Sequence, residues 1–295
     1  MANAFFHLLN LNKPSGVTSR RVVDQIQRLI RPAKTGHAGT LDPLASGVLV
    51  VSLGQATRLI EYVQRMRKQY TGTFLLGRSS PTEDIEGNVV ELANPPRPDL
   101  AQIIAAAGRL TGEIMQRPPA FSALKVGGRR AYDLARRGED VQLEPRPITI
   151  HRLDVVRYDY PELVLDIECS SGTYVRSLGR DLAESLGTAA VMAALVRTAI
   201  GEFRLEDACN ADDLTRENLA QYLLPGVRAV ADLPVVQITG DEQKALAAGL
   251  FIELSETRLS PAHAEAAALD AQGQVVALIG PTAGRWRPLR NFAIL

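Results

Sequence analysis

Only two cysteines occur in the chain, Cys169 and Cys209, far apart and without Cys-x-x-Cys spacing. That excludes a disulfide framework and a zinc ribbon, and leaves two reduced thiols. The four histidines (His7, His37, His151 and His263) are scattered with no metal-ligand spacing, so no metal site is expected. No apolar run reaches the ~18 residues that a membrane helix needs, which excludes that kind of span. The opening Met1–His7 lacks the positive segment of a signal peptide, so a soluble, cytoplasmic protein is expected. Repeats and low-complexity stretches are missing too. So is net charge: 33 Lys and Arg balance 33 Asp and Glu, with a sequence pI near 6.9. A uniformly basic polyanion binder is therefore excluded, and any such surface must be local.

The most informative segment present is Gly36-His37-Ala38-Gly39-Thr40-Leu41-Asp42-Pro43-Leu44-Ala45-Ser46-Gly47-Val48-Leu49. Pro43 biases Asp42 toward extended backbone and out of a helix. The glycines permit tight turns and a close approach by another molecule. A lone carboxylate on such a loop, ahead of the apolar stretch Val48–Leu53, is suited to act as nucleophile or base. Taken by itself, the same Asp-Pro string also fits a plain turn.

Further segments give that string a context. Leu11-Asn12-Lys13-Pro14-Ser15-Gly16-Val17-Thr18-Ser19 precedes it; Lys68-Gln69-Tyr70-Thr71-Gly72 and Thr82-Glu83-Asp84-Ile85-Glu86-Gly87 follow. Then come Gln116-Arg117-Pro118-Pro119-Ala120-Phe121-Ser122-Ala123-Leu124-Lys125 with Gly128-Arg129-Arg130-Ala131-Tyr132, and Cys169-Ser170-Ser171-Gly172-Thr173-Tyr174-Val175-Arg176-Ser177-Leu178. In this order the six segments resemble the motifs of the tRNA pseudouridine-55 synthases, the TruB family of RNA-modifying enzymes. There are two departures. Ser80-Pro81 stands where the family usually has Thr-Asp, and Leu195-Val196-Arg197-Thr198 lacks one arginine of the family's string.

The resemblance implies an isomerase that converts uridine 55 in the T-loop of elongator tRNAs to pseudouridine, with a folding role for tRNA beside catalysis left open. It implies Asp42, Tyr70 and Arg176 as catalytic residues, with Arg176 paired to Asp42 and Tyr70 stacking on the base. His37, Tyr174, Leu195, Lys13, Asp84, Arg129 and Arg130 are implied to bind substrate, His37 by holding the space of a base flipped out of its stack. Whether Asp42 attacks the sugar, adds to the ring or removes a ribose proton stays open. The reaction is redox-neutral with no net water, so no cofactor is expected. The partner is tRNA without guide RNA, and the protein a monomer.

Apolar spacing after Thr18-Ser19 (Val22, Val23, Ile26, Leu29, Ile30) predicts a helix, and Asp99 caps another over Leu100–Leu110. Strands are predicted at Gly47–Leu53, Tyr70–Leu76 and Leu163–Cys169, with a helix from about Thr173 to Leu186. This irregular alternation indicates α+β with a mostly antiparallel sheet; the resemblance implies the pseudouridine-synthase fold. Residues 1–233 are expected to form the catalytic domain, with an RNA-gripping insertion at about 125–147. Residues 234–295 are expected to form a small β-rich, PUA-like RNA-binding domain with a hairpin around Asp270–Gly273. Since every motif precedes Phe203, a module that only extends the RNA contact could be deleted without loss of chemistry. Its RNA contact would come from a tip holding Arg285, Trp286, Arg287 and Arg290. Basic clusters at residues 20–37, 58–78 and 116–157 flank the motifs and predict a basic groove on a neutral body.

Overall fold

The computed structural model describes residues 5–122, 124–126, 129–132, 137 and 143–292. Its principal strands are β1 (Phe6–Lys13), β2 (Thr35–His37), β3 (Ser46–Gly54), β4 (Lys68–Leu76), β5 (Gly112–Gln116), β6 (Arg146–Asp159), β7 (Glu162–Cys169) and β8 (Ala190–Ile200). A second group comprises β9 (Val235–Gln237), β10 (Ala266–Leu269), β11 (Val275–Thr282) and β12 (Arg285–Asn291). The helices are α1 (Ser19–Ile30), α2 (Ile60–Arg65), α3 (Leu100–Arg109), α4 (Val175–Glu184) and α5 (Gly240–Ala247).

Local chemistry accounts for the helices. The Thr18 hydroxyl accepts the Arg21 amide hydrogen at 3.2 Å and starts α1, whose Val22, Val23, Ile26 and Ile30 are buried. At α3, Asp99 and Gln102 form a reciprocal capping box. Both helices begin where their predicted caps stand.

The large sheet runs β1-β3-β8-β4-β7-β6-β5, antiparallel at every neighbouring pair except β3 with β8. Every residue from Gly47 to Leu53 in β3 is buried, because both faces are covered. On one face Leu49, Val51 and Leu53 pack against α1. On the other, Val48 and Val50 pack with Leu59, Tyr62 and the C-terminal residues Ala267, Leu278 and Phe292. Strand β4 alternates, burying Lys68, Tyr70, Gly72, Phe74 and Leu76. Helix α4 lies so close over it that a Cβ on Gly179 would come within 2.2 Å of the Phe74 ring.

Strand β8, between β3 and β4, is not foreseen in the sequence. Its alanine-rich apolar run gives no clear period in sequence, although Leu195, Arg197 and Ala199 are buried in alternation. Its register with β3 pairs only Val196 with Ser46 and Arg197 with Gly47. The Asp42 loop enters the sheet where these two strands meet. Gly47 makes this possible: its φ is +101°, and a Cβ there would lie 2.2 Å from the Arg197 carbonyl oxygen.

Strands β9 to β12 form a separate four-stranded sheet with Trp286 in its core. Its other face joins the large sheet, and the Phe6 and Phe292 rings meet at 5.1 Å. Arg58 donates to the Asn291 carbonyl at 2.5 Å, Arg290 pairs with Glu61, and the Tyr62 hydroxyl donates to Glu265. These contacts alter the expected RNA-contacting tip. Trp286 is buried and Arg290 is engaged at the domain contact, which leaves Arg285 and Arg287 exposed.

Candidate active site

The loop bearing Asp42 is held through its backbone by the segment that precedes it. The Gly16 amide donates to the Pro43 carbonyl at 2.8 Å, and the Ser15 hydroxyl to the Leu44 carbonyl at 2.8 Å. The Ser19 side chain takes the Leu41 amide hydrogen at 2.9 Å and reaches the Leu41 carbonyl at 3.0 Å. The Ala45 amide closes the turn on the Asp42 carbonyl at 3.1 Å. These bonds fix the loop through its backbone, and none of them uses the Asp42 carboxylate.

That carboxylate meets Arg176 on the first turn of α4. Arg176 Nε lies 3.1 Å from Asp42 Oδ2, with the Asp42 side chain 40 % exposed and Arg176 9 %. The acid therefore opens to solvent while its partner is held beneath it. Arg176 also donates to the Thr82 carbonyl at 2.7 Å and the Phe121 carbonyl at 3.1 Å, and lies 3.7 Å from Asp84. A guanidinium with this many fixed acceptors is locked in position.

Asp84 is buried and accepts from the Thr82 hydroxyl at 2.5 Å and the Glu86 amide at 3.1 Å. Expected as a substrate contact, it lies 3.7 Å from Arg176 and supports that arginine here. Glu83 beside it, at φ 62°, accepts from Ser177 at 2.7 Å and pairs with Arg180. The acidic turn is thereby pinned to α4. Burial, with Asp84 and Asp42 nearby, raises the pKa of Glu86.

Lys13 also departs from expectation. It is 0 % exposed, and its ammonium donates to the carbonyls of Pro14 at 2.9 Å, Val17 at 2.6 Å and Pro43 at 3.4 Å. Burial lowers its pKa, a trend that Asp42 opposes. In this structure it braces the Asp42 loop from within. Lys13→Met removes the donor those carbonyls share, an expected loss of about 2 kcal/mol in stability by urea unfolding. It should also slow turnover more than it weakens RNA binding.

Tyr70, Leu195, Leu41, Ala45 and Val175 belong to one apolar cluster, the floor beside Asp42. Burial raises the Tyr70 pKa, against the nearby Arg197 guanidinium. Tyr174 caps α4, its amide donating to Gln116 Oε1 at 2.8 Å. His37 lies in β2 opposite Val51; its Nδ1 is buried without a partner among the described residues, and burial lowers its pKa. The backbone pairs Arg129 with Val126 and Arg130 with Lys125. The side chains of Arg129 and Arg130, and all of Arg136, lie outside the described residues.

The two preceding basic clusters part ways. Around α1, Arg20, Arg21, Arg28, Arg31 and Lys34 are exposed, and among the described residues Arg20 alone of these makes an ion pair. Around β4 the charges are engaged: Arg65 with Glu61, Arg67 with Glu168, Arg78 with Glu91, and Lys68 buried on backbone carbonyls. The second cluster thus meets carboxylates, although Arg65 and Arg67 stay largely exposed.

The family described as TruB family pseudouridylate synthase (N terminal domain) matches residues 27–175, and tRNA Pseudouridine synthase II, C terminal, matches residues 233–293. A tRNA pseudouridine synthase B from Arthrobacter sp. (strain FB24) is 42% identical, over 97% of this chain and 96% of that protein. The chain belongs to the TruB family. Another tRNA pseudouridine synthase B, from Mycobacterium tuberculosis (strain CDC 1551 / Oshkosh), is 40% identical, over 94% of this chain and 92% of that protein. Among solved structures, a chain of a Cbf5-Nop10-Gar1 complex superposes with TM-score 0.77 at 25% identity, covering 99% of this chain and 86% of that one. The α+β architecture with its mostly antiparallel sheet is thus a pseudouridine-synthase fold, as the motifs implied. Within this TruB site lies Arg197, a buried arginine opposite Tyr70 to which the sequence assigned no role. Its signals were its place as the arginine kept in the Leu195-Val196-Arg197-Thr198 string and its position as a basic residue inside the apolar run of β8.

Proposed function

We propose that this protein isomerises uridine 55 of tRNA to pseudouridine, acting as a cytoplasmic monomer on the T-stem-loop of elongator tRNAs without guide RNA. The observation that carries this reading is the exposed Asp42 carboxylate held at 3.1 Å by a buried Arg176. In the reaction the bond between ribose carbon 1′ and uracil nitrogen 1 breaks. The base then turns and rejoins through carbon 5, which gives up its proton while nitrogen 1 gains one. No electrons are exchanged with the outside, so the chain's own groups suffice.

The target base must first leave its stack, because Asp42 cannot reach a glycosidic bond inside a folded arm. Tyr70 and Leu195 offer the extruded uracil an apolar floor, and the Tyr70 hydroxyl a route for the carbon-5 proton. Arg176 aims the carboxylate and stabilises its charge at the reacting centre. The exposed arginines of α1, with Arg129 and Arg130, supply phosphate contacts.

The test is pseudouridine mapping on a bare T-arm hairpin incubated with the purified protein alone. Conversion at the position equivalent to uridine 55 is expected. Conversion only of full-length tRNA, or only with an added guide RNA, would refute the T-arm and guide-independent parts of the reading. No conversion of either substrate would refute the activity.

A further inference from the structure

Arg197 of β8 stands across from Tyr70 of β4 and beside Gly47 of β3. It is only 2 % exposed. A guanidinium keeps its proton inside proteins, so the fold encloses a permanent positive charge. The two acidic groups closest to the chemistry, Asp42 and Asp84, pair with Arg176 instead. Among the described residues Arg197 makes no ion pair with any carboxylate.

All its hydrogen bonds converge on the site. Nε donates to the Val48 carbonyl at 2.7 Å and Nη2 to the Gly39 carbonyl at 3.1 Å. Gly39 and Val48 bracket the Asp42 loop. Tyr70 is its register partner across the strands, and the nearby guanidinium pulls the Tyr70 pKa down against burial. Its charge disfavours protonation of Lys13, Lys68 and His37 around it. As loop glue alone, a neutral donor would avoid burying an uncompensated charge.

We propose that Arg197 is a positioning residue for the isomerisation. It locks both ends of the Asp42 loop against Tyr70, and it holds a positive charge on the Tyr70 oxygen for the step in which that oxygen takes the proton from carbon 5. The phenol first gives its own proton to water, and the resulting phenolate receives the carbon-5 proton. The regenerated phenol later exchanges that proton with solvent. The other groups acting on Tyr70, which are Cys169 from β7, Asp42 from its loop and burial itself, all oppose the phenolate. Arg197 is the group that favours it.

This inference rests on the pseudouridylation reading above, and the experiment keeps the two apart. Single-turnover conversion of a saturating T-arm hairpin, its dissociation constant and the thermal midpoint are measured for wild type, Arg197→Lys and Arg197→Met. Each is repeated with Tyr70→Phe. Arg197→Met should slow conversion about a hundredfold with the dissociation constant within about threefold. Arg197→Lys, which keeps the charge, should recover about tenfold of that loss. In Tyr70→Phe protein the Arg-to-Met difference should shrink about tenfold, leaving the part that comes from the loop, since coupled residues are not additive.

A Lys variant as slow as the Met variant overturns the proposal. So does a loss of conversion matched by loss of binding, or an Arg-to-Met difference undiminished in Tyr70→Phe protein. If Arg197→Met does not fold, Arg197→Gln takes its place with the same expectations. A wild type that converts no hairpin and no tRNA overturns the underlying activity instead.

Discussion

Asp42→Asn is expected to reduce pseudouridine formation to background, a loss of about 10⁴-fold or more, without unfolding the protein. The asparagine keeps the shape and one oxygen but carries neither the charge nor the nucleophilic carboxylate. The loop does not depend on that carboxylate: Ser15, Gly16, Ser19 and Lys13 hold its backbone. Arg176 keeps its carbonyl partners at Thr82 and Phe121 and its place near Asp84. Asp42 is also partly exposed, so losing its ion pair should cost no more than about 1 kcal/mol. Tritium release from carbon-5-labelled uridine measures the chemistry, and filter binding should find tRNA affinity within about threefold of wild type. Turnover within tenfold of wild type would remove Asp42 from the mechanism.

Deleting residues 234–295 should unfold or precipitate the remainder, contrary to the expectation that a C-terminal module is dispensable for chemistry. The face of that module is continuous with the large domain's core: Ala267, Val275, Leu278 and Phe292 pack with Leu8, Val50, Leu59 and Tyr62. Uncovering several such side chains costs about 1.5–3 kcal/mol apiece, which together rivals the whole stability of a typical domain. Phe292→Ala is the milder version. Its ring stacks near Phe6 and lies 4.9 Å beneath the Arg58 guanidinium. A loss of about 3–4 kcal/mol in urea unfolding is expected. A truncated chain that folds with an undiminished urea midpoint would show that this contact carries no stability.

The two basic clusters show where charge counting stops being informative. Arg20, Arg21, Arg28, Arg31 and Lys34 and the arginines of residues 58–78 look alike in sequence. Their difference is whether a carboxylate from elsewhere in the chain arrives beside them. Glu168 reaches Arg67 across the sheet, and Glu91 reaches Arg78. Nothing local announces either pairing.

Sequence by itself determined what depends on neighbours in the chain. The caps at Thr18 and Asp99, the alternation of β4 and the glycines around Asp42 act over a few residues, where covalent geometry and local hydrogen bonds decide. The ordered motifs likewise sufficed to name the family, because their residue types are chemical requirements. Only the tertiary structure decided what each buried polar group faces. Lys13 and Asp84 read as substrate contacts until the fold turned one under the Asp42 loop and the other behind Arg176. Arg197 went unassigned because nothing near it in the chain announces that β8 will set it against Tyr70. Burial and partnership are created by segments far apart in the chain, and a linear pattern does not record which of them will meet.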